Sequence, residues 1–255
     1  DEMMYRAGVP RRAFSAKNEG GEIVRAYLDE ALDSVKPGED TLVLARTNDY
    51  AKTAASMLDE RLIPWRPVKG GSQQAAPARA EGVKGLLKLQ QGKEITGDEF
   101  WRLLDLLPSR ASGTPLFESG TKAWFKDAKN REPLTPTVLA SIGDWGGTDA
   151  FKEIIDSGRY VELLEEAPAR MALVAQRHGL DAIGNPRCRV STCHGAKGME
   201  ADHVVLLNRI PYPSQKAIEE EEGLAEERRL WYTAATLPRH KLTIAEADGE
   251  PFPEL

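Results

Sequence analysis

The chain is poor in features that would assign it to several broad classes. It has two cysteines in 255 residues, Cys188 and Cys193. Two thiols without neighbouring ligands make a poor metal site and suit a reducing compartment. No apolar run approaches the roughly 20 residues that a membrane helix needs. The opening Asp1-Glu2-Met3-Met4 has neither the basic stretch nor the apolar segment of a secretory leader, so a cytoplasmic protein is expected. A first residue other than Met suggests a fragment of a longer protein. Net positive charge is also absent: the formal balance is −6, which argues against a surface that embraces nucleic acid everywhere and leaves room only for a local basic groove. No Gly-x-x-x-x-Gly-Lys-Ser/Thr occurs, so no loop cradles a triphosphate. No strand ends in the paired Asp-Glu of a magnesium site.

What is present reads as α/β. With hydrophobic residues at 41% and charged residues at 29%, the chain falls in the globular range. Apolar spacing from Glu22 to Val35 predicts an amphipathic helix ended by Pro37-Gly38. Thr41 to Ala45 reads as a strand buried in a parallel sheet, followed by a helix over 50–61 and a short extended piece at Ile63-Pro64-Trp65. Residues 72–80 read as a loop and 81–91 as a helix. From 92 to 186 the pattern is helical, with expected helices at 97–107, 115–126, 137–142, 148–157 and 160–177 separated by Pro- and Gly-rich breaks. Strands return at 187–191 and 201–207, then a helix over 219–236 and a closing strand at 242–244. This predicts an α/β fold, a parallel sheet flanked by helices and interrupted by a helical insertion. The expected divisions are an extension at 1–19, sheet domain at 20–91, insertion at 92–186 and sheet domain again at 187–255.

Three stretches carry the chemistry. Val190 to Leu207 reads strand, loop, strand, and its loop Cys193-His194-Gly195-Ala196-Lys197-Gly198-Met199-Glu200 holds an imidazole, an ammonium and a carboxylate. Loops at the carboxyl edge of parallel sheets are where α/β proteins bind ligands. The order of Thr192, His194, Lys197, Gly198 and Glu200 closely resembles motif V of UvrD/Rep/PcrA-like superfamily 1 DNA helicases. The second stretch, Glu226-Glu227-Arg228-Arg229-Leu230-Trp231-Tyr232-Thr233-Ala234-Ala235-Thr236, resembles motif VI of the same family. Asp40 to Ala51, with Arg46, Thr47 and Asn48 after a strand, resembles the segment that opens the body of that family's second RecA-like domain. A charged helix with a solvated acidic face, and an Arg46 salt-bridged beside an Asn48 helix cap, are the structural alternatives for the last two. Tyr5-Arg6 does not match the family's Tyr-Arg pair in its flanks.

The resemblance implies the C-terminal portion of an ATP-dependent DNA helicase or translocase, 3′-to-5′ in direction, acting in DNA repair or replication. Its partners would be single-stranded DNA and an N-terminal RecA-like ATPase domain carrying the P-loop. ATP and Mg²⁺ would belong to the complete enzyme and not to this chain alone. Residue by residue, Arg46, Asn48, Thr192 and His194 would face the strand, and Lys197, Gly198 and Glu200 the ATP. One position departs from the pattern. The family's arginine finger, which follows the Thr of motif VI, is Leu237 here, then Pro238. Such a finger contributes about 10³ to 10⁵ in rate where measured. Arg239, two residues on, is the candidate catalytic replacement. The departure also leaves open a non-catalytic DNA- or protein-binding module derived from a helicase domain. An unrelated enzyme using His194 as a base is disfavoured, because no nucleophile sits on a suitable elbow. The aromatic residues Trp101, Trp124, Phe125 and Trp145 of the insertion are expected mainly in its core.

Overall fold

The computed structural model describes residues 20–68, 75–127 and 146–253, the side chains of 75–77 excepted. The expected extension at 1–19, the helix at 137–142 and Trp145 lie outside them. The chain divides into two compact units, residues 1–71 with 186–255 and residues 72–185. The boundary therefore falls at Ser72 and not at residue 92, because the helix assigned to the end of the first sheet segment packs within the helical unit.

The first unit is built on a six-stranded sheet. Its elements are β1 (Glu22–Tyr27), α1 (Leu28–Asp33), β2 (Thr41–Ala45), α2 (Asn48–Glu60) and β3 (Trp65–Pro67), then β6 (Cys188–Thr192), β7 (Ala201–Asn208) and β8 (Pro238–Glu246) from the far end of the chain. The strands lie in the order β1-β8-β7-β2-β6-β3, with every pair parallel. β2 is wholly buried, as expected of a short apolar run at the middle of a parallel sheet. Its alternate residues feed two cores. Val43 and Ala45 join Val190, Val205 and Leu207 under α1 and α2. Leu42 and Leu44 join Val204, Leu206, Leu242 and Ile244 on the opposite face, under Trp231 and Leu237. Trp231 and Phe252 stack there at 5.7 Å between ring centroids and 8° between planes.

Glu22 to Tyr27 is a strand and not the first half of a helix. Ile23 and Val24 are β-branched, and the segment pairs with β8 at the outer edge of the sheet, leaving Ile23 and Tyr27 exposed. The helical spacing is real only from Leu28, where Leu28, Ala31 and Leu32 are buried. The closing strand β8 (Pro238–Glu246) is longer than the expected 242–244 because it pairs with both β7 (Ala201–Asn208) and β1.

The second unit contains α3 (Ala75–Gln90), α4 (Gly97–Leu106), a hairpin of β4 (Arg110–Ala111) and β5 (Thr114–Pro115), α5 (Thr121–Lys126), α6 (Asp149–Ser157), α7 (Glu166–His178) and α8 (Leu180–Gly184). α3 begins at Ala75, where the sequence reads as a loop. Gly82, having no Cβ, lets it approach α4 closely: a Cβ there would stand 2.7 Å from the Arg102 carbonyl oxygen. The expected helix 115–126 starts only at Thr121. The residues before it close a two-residue hairpin in which Ser112 and Gly113 both have positive φ, the type I′ geometry. The expected helix 160–177 is broken into a 3-10 turn over Arg159–Leu163 and α7. Pro168 is tolerated in the first turn of α7, but within a continuous helix its ring would meet the carbonyl of Leu164. Trp101 is partly buried, Phe125 is buried and Trp124 is half-exposed.

Candidate functional site at the two edges of the sheet

All six strands run the same way, so the sheet has one carboxyl edge and one amino edge. At the carboxyl edge β2 and β6 (Cys188–Thr192) end side by side at Ala45 and Thr192, and the Cys193 amide donates to the Ala45 carbonyl at 2.9 Å. Thr192 turns the chain, its hydroxyl accepting from the Gly195 amide at 3.1 Å. That fold-back exposes His194 and Lys197 while burying Cys193 and Ala196. A cleft of about 340 Å³ collects Arg46, His194, Lys197, Arg229 and Thr233 together with Glu226 and Glu227. Asn48 and Thr192 stand on the same edge but outside its lining. Asn48 is the exposed first residue of α2. The helix cap is Thr47, whose hydroxyl accepts from the Tyr50 amide at 3.2 Å.

Arg46 is already engaged. Its Nε donates to both Glu227 oxygens at 3.0 and 3.1 Å and its Nη2 to Oε1 at 2.7 Å. The same carboxylate accepts from Ser214 Oγ at 2.8 Å and Trp231 Nε1 at 3.1 Å, so it joins β2 to α9 (Tyr212–Ala217) and α10 (Glu221–Ala235). Burial alone would raise the Glu227 pKa. The hydrogen bonds from Arg46 and Ser214, the Arg46 charge and the Trp231 bond outweigh it and hold the group below its ordinary value. The sequence reading placed Glu227 in the motif VI stretch without a role of its own, the alternative being a solvated acidic face. The available signal was its spacing: Glu227, Trp231 and Ala234 recur at i, i+4 and i+7 on one helix face, and all three are buried.

The loop then crosses the sheet. Gly198 turns the chain at φ +80°, a conformation that favours glycine, and Glu200 arrives at the amino edge just before β7. There Arg239, the second residue of β8, binds Glu200 at 3.2 Å, Asp202 at 3.1 Å and Asp40 at 3.4 Å. Arg189 adds a bond of 2.6 Å to Asp40 and another of 3.0 Å to the Glu200 carbonyl. Hydrogen bonds from Arg239 to Asp202 and Glu200 raise its pKa further. Leu237 is buried in the apolar core with Trp231 and Ala234, and its carbonyl accepts from the Ala201 amide at 3.2 Å. The structure thus separates the three residues that the motif groups on the nucleotide side: Lys197 lines the cleft with His194, Gly198 makes the turn, and Glu200 meets Arg239 at the opposite edge.

A wider depression of about 840 Å³ at the carboxyl ends of β1, β7 and β8 holds none of these residues. Beside it the Arg209 guanidinium stacks on Tyr50 at 4.4 Å. Cys188 and Cys193 are free and buried, and burial pushes both thiols up to about 12. Among the described residues no helix is long and apolar enough to cross a membrane. No curated protein matches the chain. Residues 148–249, which hold the crossing loop, Glu227 and Arg239, match the family model of the UvrD-like helicase C-terminal domain, and the parallel sheet flanked by helices is consistent with a RecA-like α/β fold.

Proposed function

We propose that this chain is the C-terminal motor portion of an ATP-dependent DNA translocase or helicase, which binds a single strand at the carboxyl edge of its sheet. At the amino edge it completes an ATP site whose P-loop belongs to an N-terminal partner domain. The observation that carries this reading is the course of one loop: Thr192 to Glu200 runs from one edge to the other, ending beside Arg239. His194 and Lys197, beside Arg46 in one cleft, supply donors suited to phosphodiester oxygens. Asn48 and Thr192 flank them. Lys197 is therefore read as a strand-side group, although the motif places it with the nucleotide.

The amino edge fits the smaller share of an ATP site. Glu200 and Arg239 are both partly open to solvent, with side-chain exposures of 58% and 43%. A carboxylate there can accept from ribose hydroxyls and a guanidinium can donate to phosphate oxygens. The 3′-to-5′ direction follows from the family resemblance. A second reading, a non-catalytic DNA-binding module, is favoured by Leu237 being core and by Arg239 being shared among three carboxylates.

DNA-stimulated ATP hydrolysis by the protein that joins this chain to its P-loop domain decides between them. The motor reading expects hydrolysis in the wild type and its loss in Arg239→Ala. Strand binding without hydrolysis assigns the module. Neither strand binding nor hydrolysis overturns both.

A further inference from the structure

The Arg46–Glu227 contact does more than close a gap at the strand ends. We infer that Glu227 is a positioning residue for strand binding: its buried carboxylate fixes the Nε and Nη2 edge of Arg46, so that Nη1 is set toward the cleft for a backbone phosphate. The inference rests on the single-strand reading of the carboxyl edge. Glu227 is 5% exposed and Arg46 lines the cleft, with no Nη1 partner among the described residues. A guanidinium gripped along one edge retains its charge and its remaining donors while losing the freedom of a long side chain. Such prior ordering raises affinity by removing an entropy cost at binding. Ser214 and Trp231 fix the carboxylate in turn, so Glu227 is not free to follow Arg46 away.

Charge alone predicts the opposite. A nearby carboxylate repels phosphate, and a role limited to neutralising Arg46 means that its removal tightens binding. The two accounts separate in the anisotropy of a fluorescein-labelled oligothymidylate titrated with the full chain at several salt concentrations.

Positioning expects Glu227→Gln to weaken binding about tenfold, near the value of one charge-assisted hydrogen bond. The slope against log salt stays at the wild-type value, and Arg46→Ala/Glu227→Gln binds no more weakly than Arg46→Ala. Tighter binding with a steeper slope, or losses that simply add in the double variant, overturns it. Where Glu227→Gln does not fold, Arg46→Lys serves, because lysine keeps the charge but cannot be held as a fork. It should lose as much as Arg46→Ala, and wild-type affinity in Arg46→Lys overturns the inference. A loss in His194→Ala with none in Arg46→Ala removes this inference and leaves the strand-binding reading intact. No loss in either removes that reading and this inference with it.

Discussion

The two edges of the sheet hold the same kinds of side chain in opposite settings. At the carboxyl edge one arginine and one carboxylate meet under cover, with side-chain exposures of 22% and 6%. At the amino edge Arg239 is shared by Asp40, Asp202 and Glu200, and Arg239, Asp202 and Glu200 are each more than a third open to solvent. Water screens the second set, whose contacts exchange readily, whereas removing one member of the first leaves an uncompensated charge in a poor dielectric. The buried pair therefore belongs to the architecture, and the exposed web is the one whose members can leave their partners for a ligand.

The largest effect should come from Glu227→Ala, which removes the partner of Arg46, Ser214 and Trp231 together. A loss of about 3–5 kcal/mol is expected for one half of a buried pair. That corresponds to a fall of roughly 6–20 °C in melting temperature followed by circular dichroism. A shift within about a degree would remove the distinction between the edges. Leu237→Arg comes next. The resembled family has arginine here, yet the position is core, so the substitution should cost about 2 kcal/mol or more for a charge drawn into apolar surroundings and should not raise DNA-stimulated hydrolysis by the complete protein. A stable variant with gained hydrolysis would show that the arginine can leave the core and reach the edge.

Acid should act through buried groups. His203 lies within the sheet beside Thr243, its Nε2 and the Thr243 hydroxyl 2.9 Å apart. Burial lowers its pKa from 6.5, Lys241 adds to that lowering, and Glu39 and Glu22 oppose it. The unfolded chain thus binds a proton more readily, and stability present above about pH 6.5 declines as pH falls through the window below that value. Urea midpoints at pH 7.5 and 5.5 should differ in that direction, and the difference should shrink in His203→Gln. Glu227, also held below its ordinary value, contributes in the same sense only at lower pH, as the solution falls through its folded pKa.

How much of this was legible in the sequence depends on how local each cause is. β2 and β7 were readable because apolar runs bounded by turn residues need no knowledge of distant partners. β1 was not, because what makes Glu22–Tyr27 a strand is pairing with β8 from the far end of the chain. The motif loop was readable in its residues but not in its course, and the course separates Lys197 from Glu200. Arg239 stood out only as a displaced arginine. Its three partners come from the entrance to β2 and the entrance to β7, brought together by strand order. Glu227 was hidden by acidic neighbours that are solvated, although its spacing from Trp231 pointed inward.

The smallest effect on stability should be that of Arg239→Ala. Its side chain is exposed, Glu200 and Asp202 are hydrated, and the more buried Asp40 keeps its bond to Arg189, so the melting temperature should match the wild type, and what difference exists should vanish at high salt, where surface pairs are screened. The value of the variant lies in that silence. Because the fold does not depend on Arg239, any loss of DNA-stimulated hydrolysis in the complete protein reports on the edge itself and not on unfolding. If instead the melting temperature falls as far as in Glu227→Ala, the amino-edge web is structural, and the three carboxylates hold Arg239 for the sheet and not for a ligand.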